Sequence, residues 1–340
     1  MLRGVPEPAR WKQAAPRRTL PATVLDRIVE TAFPGRRVLA CEPLGDGYRN
    51  ANFKLLIDGA HEPIVLRIYE HDASLCRKEI DLMRLVRGRV PVPEVVYAEP
   101  DGWDGLPPFA LMRWIEGVTF RDLKRAGNRG AIAQAAAAAG ETLAAISSFA
   151  FPKAGWIAPG PAVSEPLLEG ADPMPRFVDL CLASDPAQRR MPPDLRERTH
   201  ALVWSRAPLV AEVCREPRLV HGDFNKRNLL VREQAGFWTV AAVLDWEFAV
   251  AGSPLADLGS FLRYERAARP LAEPHFSAAY VRAGGCLPRD WRRLARLVDL
   301  AALAESLSRE QLPEALVPEL VELISATVED RDPLLQSRAR

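Results

Sequence analysis

The chain has 340 residues, 48% of them hydrophobic, with 45 basic against 44 acidic side chains and a formal net charge of +1. That length can build a large core or two lobes, and the even charge predicts no nucleic-acid partner and no anionic membrane surface. No apolar run approaches the roughly 20 residues of a membrane-spanning helix, and the opening MLRGVPEPARWKQAAPRRTLP reads as a loose arm over residues 1–20, without the apolar core of a signal peptide. Five dispersed cysteines (Cys41, Cys76, Cys181, Cys214, Cys286) form no C-x-x-C pair, which predicts reduced thiols, no zinc site and a cytoplasmic setting. Cys76 and Cys214 fall on apolar helical faces and are expected in the core.

In chain order, ATVLDRIVETAF (22–33) has helical spacing at Val24, Ile28 and Val29. A strand is expected over Val38–Leu44, a turn over Gly45–Ala51 and a returning strand over Asn52–Asp58. The turn is rich in Gly and Asn, so it can bend tightly and expose backbone N–H groups, as an ordinary hairpin also would. In PIVLRIYE, strand alternation puts Val65, Arg67 and Tyr69 on one face and Ile64, Leu66 and Ile68 on the other. A charge in so short an apolar strand calls for a partner unless it lies on a solvent edge. The helix ASLCRKEIDLMRLVRG gathers Leu75, Cys76, Glu79, Leu82, Met83 and Val86 on one stripe. Glu79 is the one acid there, and Arg67 is its natural cation, although an acid at the stripe's edge could instead reach water.

Two further strands are expected in VPVPEVVYAE and PPFALMRWIEG, and from Gly117 the pattern turns helical. AIAQAAAAAGETLAAISSF reads as a buried scaffold helix, its small residues permitting close helix approach. Residues 152–193 are dense in Pro, Gly and Asp around one apolar helix, RFVDLCLA, and DLRERTHALVWSRAPLVAEVC reads as a single amphipathic helix. WRRLARLVDLAALAESLS and EALVPELVELISATVED close the chain as amphipathic helices. Asp299, Glu305 and Glu310 on these segments are expected at the solvated surface, with a cationic substrate as the alternative.

The chemistry concentrates in residues 219–247, LVHGDFNKRNLLVREQAGFWTVAAVLDWE. His221, Asp223 and Asn228 read H-x-D-x-x-x-x-N, and Asp245 ends an apolar strand. This is the layout of a kinase catalytic loop followed by its metal-binding Asp. Phosphoryl transfer needs a carboxylate to orient the attacking hydroxyl, a task that fits Asp223. It also needs oxygen ligands for magnesium, which fits Asn228 and Asp245. Each residue alone also fits a turn or a strand end; the joint arrangement is what carries the reading.

The stretch resembles the aminoglycoside phosphotransferase and choline kinase superfamily, through His221-Gly222-Asp223, Asn228, Asp245-Trp246-Glu247 and Asp257 in PLADLG. The resemblance implies a bilobal, α+β, protein-kinase-like fold: a nucleotide-binding N-terminal lobe with an antiparallel sheet and one main helix over 21–116, and a mostly helical C-terminal lobe over 117–340. It implies Mg2+ and ATP (or GTP), and γ-phosphoryl transfer to the hydroxyl of a small substrate by a monomer or homodimer. It assigns Gly47 and Asn50, in a G-x-x-N-x-N-F pattern with Asn52 and Phe53, to the cover over the nucleotide. Met112 would lie behind the base, with the backbones of Arg113 and Ile115 bonding to it. Arg67 stands where a kinase carries Lys; paired with Glu79 it would steady the phosphates. Asp257 would brace the catalytic loop, although an acid at a helix start is also favoured by the dipole. His221 would be structural, and Glu247 would touch metal, water or substrate. No activation segment and no A-P-E follow Asp245, which argues against a protein kinase; the intact Asp223, Asn228 and Asp245 argue against a non-catalytic nucleotide-binding scaffold.

Overall fold

The computed structural model describes residues 20–44, 50–70, 72–103, 105–265 and 271–330. The expected loose arm (up to residue 19) and Gly47 lie outside the described residues.

In chain order the elements are α1 (Ala22–Ala32), β1 (Val38–Pro43), β2 (Asn50–Ile57), β3 (Ile64–Tyr69), α2 (Ser74–Val86), β4 (Val95–Glu99) and β5 (Phe109–Arg113). The five strands form one antiparallel sheet in the order β1-β2-β3-β5-β4. Its two faces follow the alternation of β3. Ile64, Leu66 and Ile68 pack with Leu25, Ile28 and Val29 of α1. Tyr69, on the other face, packs with Cys76 and Ile80 of α2. The returning strand starts at Asn50 rather than Asn52, because Asn50 and Ala51 already pair with Tyr69 and Ile68. On α2, Leu75 is only half-buried, whereas Lys78 and Ile80 join the buried stripe.

The second lobe does not begin with a helix. β6 (Val118–Thr119) pairs with a strand far along the chain before α3 (Phe120–Ala126) and α4 (Arg129–Ser147) follow. Thr119 and Asn128 cap these two helices by accepting from Asp122 N–H and Ala131 N–H, each such cap stabilising by about 1 kcal/mol. Next come β7 (Gly155–Ala158), β8 (Ala162–Glu165), α5 (Pro173–Leu182), α6 (Asp185–Arg190), α7 (Pro193–Ser205) and α8 (Ala207–Val213). The expected single helix at 194–214 is thus two, broken at Arg206 ahead of Pro208, whose missing N–H suits a helix's first turn but not its interior. Cys214 falls just past the end of α8 and is half-buried, not core.

β9 (Arg218–Val220), β10 (Leu229–Gln234), β11 (Phe237–Val243), a 3-10 turn (Trp246–Phe248), β12 (Val250–Gly252) and α9 (Leu255–Leu262) carry the central motif. β10 lies between β11 and β6, and β12 lies between β7 and β9. α10 (His275–Arg282), α11 (Trp291–Ser308) and α12 (Val317–Val328) complete the chain. The largest apolar cluster joins α2, α4, α9 and α10 around Phe224, Trp246 and Phe261. A second cluster unites α5, α7, α11 and α12. α4 crosses α10 at Gly140, where an added Cβ would stand 2.2 Å from the Phe276 carbonyl oxygen. The small residues of α4 therefore serve close helix approach, as its composition predicts. No helix among the described residues is long and apolar enough to cross a membrane.

Candidate active site

The loop 221–228 links β9 to β10 and is held from within its own lobe. Asp257, fully buried at the start of α9, accepts from His221 N–H (2.7 Å) and Gly222 N–H (3.0 Å). Burial pushes its carboxyl up to about 7, against the pull of those N–H groups and that of Phe224. Gly222 is needed here twice over: its φ is 82°, and an added Cβ would lie 2.3 Å from the Phe248 carbonyl oxygen. His221 is fully buried. Its Nδ1 accepts from Asp223 N–H at 3.2 Å, and its Nε2 lies 3.0 Å from the Leu244 carbonyl. That bonding describes a neutral ring, and burial pushes its pKa down, against the pull of Asp223 and Asp245. The ring also packs 4.7 Å from Trp246.

Asp223 is half-buried, and both its oxygens are oriented: Asn225 donates to Oδ1 at 2.7 Å, and Asn228 to Oδ2 at 2.8 Å. Asn228 also donates to the Asp223 carbonyl at 3.0 Å, so its amide nitrogen is committed and its amide oxygen remains as the donor atom for a cation. The Leu244 N–H donates to the Asn228 carbonyl at 2.9 Å, bringing Asp245 beside Asn228.

Asp245 sits in a left-handed conformation, φ 69° and ψ 64°, which in a non-glycine residue costs about 1–3 kcal/mol. The N-terminal lobe holds this turn. Arg67 Nη2 donates to Asp245 Oδ1 at 2.5 Å. Arg67 Nε lies 3.1 Å from Glu79 Oε2, an ion-pair distance without hydrogen-bond alignment. Glu79 is also bonded by the Tyr69 hydroxyl (2.5 Å) and the Trp246 N–H (3.0 Å). Burial works against the Arg67 charge, but Glu79 and Asp245 outweigh it and hold the guanidinium above its ordinary range. Asn50 at the head of β2 donates to Glu247 Oε2 at 3.1 Å, and Lys78 donates to the Glu247 carbonyl at 2.9 Å. Thus Asp245, Arg67, Glu79, Asn50 and Glu247 meet where the sheet and α2 pack against the helical lobe, beside the loop that carries Asp223 and Asn228.

At the edge of β5, Met112 is buried. The Arg113 N–H donates to the Glu94 carbonyl at 2.9 Å, which confines any bond from Arg113 to an incoming base to its carbonyl. Ile115 follows, half-buried, beyond the end of the strand.

Two features have no counterpart in the expectations above, and a third overturns one of them. Lys78 is one; its signal was a place beside Glu79, four residues before the buried Leu82. The second is a buried charge cluster under the loop. Glu265 pairs with Lys226 at 3.1 Å, contacts Lys124, and accepts from Ala272 N–H at 2.6 Å. Lys226 also bonds the Phe261 carbonyl, and burial brings its pKa down to about 8. Its only signal was a lysine inside an otherwise polar loop. The third corrects an expectation. Asp299 is not at the surface: it is buried and held bidentately by Arg263 at 2.9 and 2.7 Å. Glu305 pairs with Arg309, while Glu310, at the surface as expected, lies beside Arg189.

Oxygen donors such as Asn228 and Asp245 suit Mg2+, which binds through few protein ligands and completes its shell with water and phosphate. Among the described residues no group of three or more His, Cys, Asp or Glu could hold a metal alone.

The model of the phosphotransferase enzyme family (APH) matches residues 40–297. No curated protein matches the sequence as a relative. Among solved structures, a thermostable mutant of aminoglycoside phosphotransferase APH(4)-Ia, in ternary complex with AMP-PNP and hygromycin B, is 21% identical with a TM-score of 0.60, over 93% of this chain and 99% of that one. The GDP complex of wild-type aminoglycoside 2'-phosphotransferase-IIIa is 20% identical with a TM-score of 0.64, over 91% and 98%. A GDP and kanamycin complex of an APH(2") enzyme is 21% identical with a TM-score of 0.62, over 93% and 97%. At these identities the likeness is one of fold: the bilobal, kinase-like α+β architecture.

Proposed function

The chain belongs to the phosphotransferase enzyme family, and from that premise we propose that it transfers the γ-phosphoryl group of ATP or GTP to a hydroxyl of a small molecule. The observation that carries this reading is the convergence of Asp223, oriented by Asn225 and Asn228, with Asp245, held by Arg67. Asp223 would orient the acceptor hydroxyl and take its proton as the new P–O bond forms. Asn228 and Asp245 would hold Mg2+, which when bound neutralises charge on the phosphates. Arg67, backed by Glu79, would bind phosphate oxygens through a planar fork that offers more than one donor. Met112, the Arg113 carbonyl and Ile115 would receive the base, with Gly47 and Asn50 covering the phosphates. Glu247, tied to Asn50, is assigned to the metal side of the site. His221 and Asp257 would keep the loop in place. Residues 21–116 would bind nucleotide and 117–340 would supply the catalytic loop and the acceptor pocket.

Two observations favour a small acceptor over a protein. α9 begins at Leu255, so only a 3-10 turn and the short β12 separate it from Asp245. Two of the solved structures named above hold hygromycin B and kanamycin.

The test is nucleotide turnover across a panel of hydroxylated amines, amino alcohols and sugars, with Mg2+ and either ATP or GTP. Asp223→Ala should lower turnover by about 10²–10⁴-fold. Full turnover in that variant removes the assignment of the base. Mg2+-dependent nucleotide binding with no turnover on any acceptor points instead to a non-catalytic binder.

A further inference from the structure

Two neighbouring side chains of α2 grip one short turn with opposite charge. Glu79 Oε1 accepts the N–H of Trp246, the peptide just after Asp245. Lys78 Nζ donates to the carbonyl of Glu247, on the far side of Trp246. Both side chains are buried, Glu79 2% and Lys78 7% exposed. Trp246 itself is fully buried, and its indole N–H donates to the Val243 carbonyl at 3.1 Å. A buried ammonium is costly unless its surroundings compensate it, and the Glu247 carbonyl is among the groups that do so for Lys78. A left-handed aspartate persists only where its surroundings over-determine it. These two facts meet at one place, since Asp245 has a φ of 69° and is the residue preceding the gripped peptides.

We propose that Lys78 is a positioning residue: with Glu79 it forms a two-armed clamp on the backbone after Asp245 and so fixes the direction of the Asp245 carboxylate. Asp245 is aimed at phosphate and metal only on the reading given above; the clamp itself is a statement about geometry. Because both arms leave adjacent residues of one helix, a shift of α2 moves them together. The position of α2 against the catalytic lobe therefore sets Asp245, with no phosphorylated segment needed to do it. In this role Lys78 acts through the main-chain carbonyl of Glu247.

The test uses the full chain and two readouts. In nucleotide-free protein, Lys78→Met should speed amide exchange at 246–248 by about tenfold while α4 exchanges as before. For a non-hydrolysable ATP analogue, its affinity with Mg2+ should fall by about tenfold, the scale of lost support behind a metal ligand. Affinity without Mg2+ should stay within about twofold. Lys78→Arg keeps a donor for the Glu247 carbonyl and should remain near the parent in both. Parental exchange in Lys78→Met overturns the clamp, as does faster exchange spread evenly through α4, or an equal loss of affinity with and without Mg2+. Should Lys78→Met fail to fold, Lys78→Gln, too short to span the same bond, is read by the same criteria. A parent protein without Mg2+-linked binding would sink the proposed function, and exchange at 246–248 would still decide the clamp.

Discussion

The two acids at the centre of the site are held from opposite sides. Asp223 rides on a loop fixed by its own lobe: Asp257 takes the loop's N–H groups, His221 ties it to Leu244, and Lys226 roots it on Glu265. Asp245 lies at the end of a strand of that same lobe, yet Arg67, Lys78, Glu79 and Asn50 reach its turn from the other lobe. The acid assigned to the acceptor is therefore independent of where the sheet sits, whereas the acid assigned to the metal is not. The first should fail through loss of fold, and the second through loss of nucleotide affinity.

The hardest blow to that contrast is at Glu265. Glu265→Ala removes the counter-charge shared by the buried Lys124 and the half-buried Lys226 and should destabilise the protein by about 3–5 kcal/mol, seen as a lowered urea midpoint. Nucleotide affinity, measured below the transition, should change little. Glu79→Gln should show the reverse profile. It keeps an acceptor for Trp246 N–H but loses the charge facing Arg67. Nucleotide affinity by calorimetry should drop about tenfold, roughly 1.4 kcal/mol, with only a small change in midpoint. If the two variants share one profile, the contrast is broken. Asn50→Ala should be milder, a two- to threefold loss of affinity or about 0.5 kcal/mol, the low end for one hydrogen bond; an unchanged value would separate Asn50 from the nucleotide side.

A separate effect concerns pH. The Asp257 carboxyl is raised from an ordinary 3.8 to about 7 in the fold by burial. Between those values the folded protein keeps a proton that the unfolded chain has released. Stability from this group is thus fully present below about pH 4 and is lost as pH rises through about 7. Asp257→Asn cannot titrate, so the stability gap between parent and variant should move in the variant's favour from pH 5 to pH 8. A gap that moves the other way would mean that the loop's N–H donors dominate over burial.

Much of this site was legible from spacing. His221, Asp223 and Asn228 lie just before the β10–β11 hairpin and Asp245 just after it, so local pairing of the two strands brings the flanking residues together. The alternation of β3 put Arg67 on the face toward α2, and the helical period put Glu79 on the buried stripe. The sequence also called for a partner wherever either charge left water, because burying it alone is costly.

What the sequence could not say is which partners. Arg67 answers Asp245 more closely than Glu79, and Asn50 answers Glu247 from 197 residues away. Asp299, read as a surface acid, is buried on Arg263, and Lys78 is buried on a main-chain carbonyl. A buried charge announces a need for compensation, and its type limits the answer to an opposite charge or a polar group. The choice among such groups is made by packing: the sheet and α2 docked on the helical lobe bring Asp245 and Glu247 to their partners, and α9 packed on α11 brings Arg263 to Asp299. Motif spacing thus singled out the candidate acids and carried the resemblance that implied the fold class, and the tertiary structure alone decided how those acids are held.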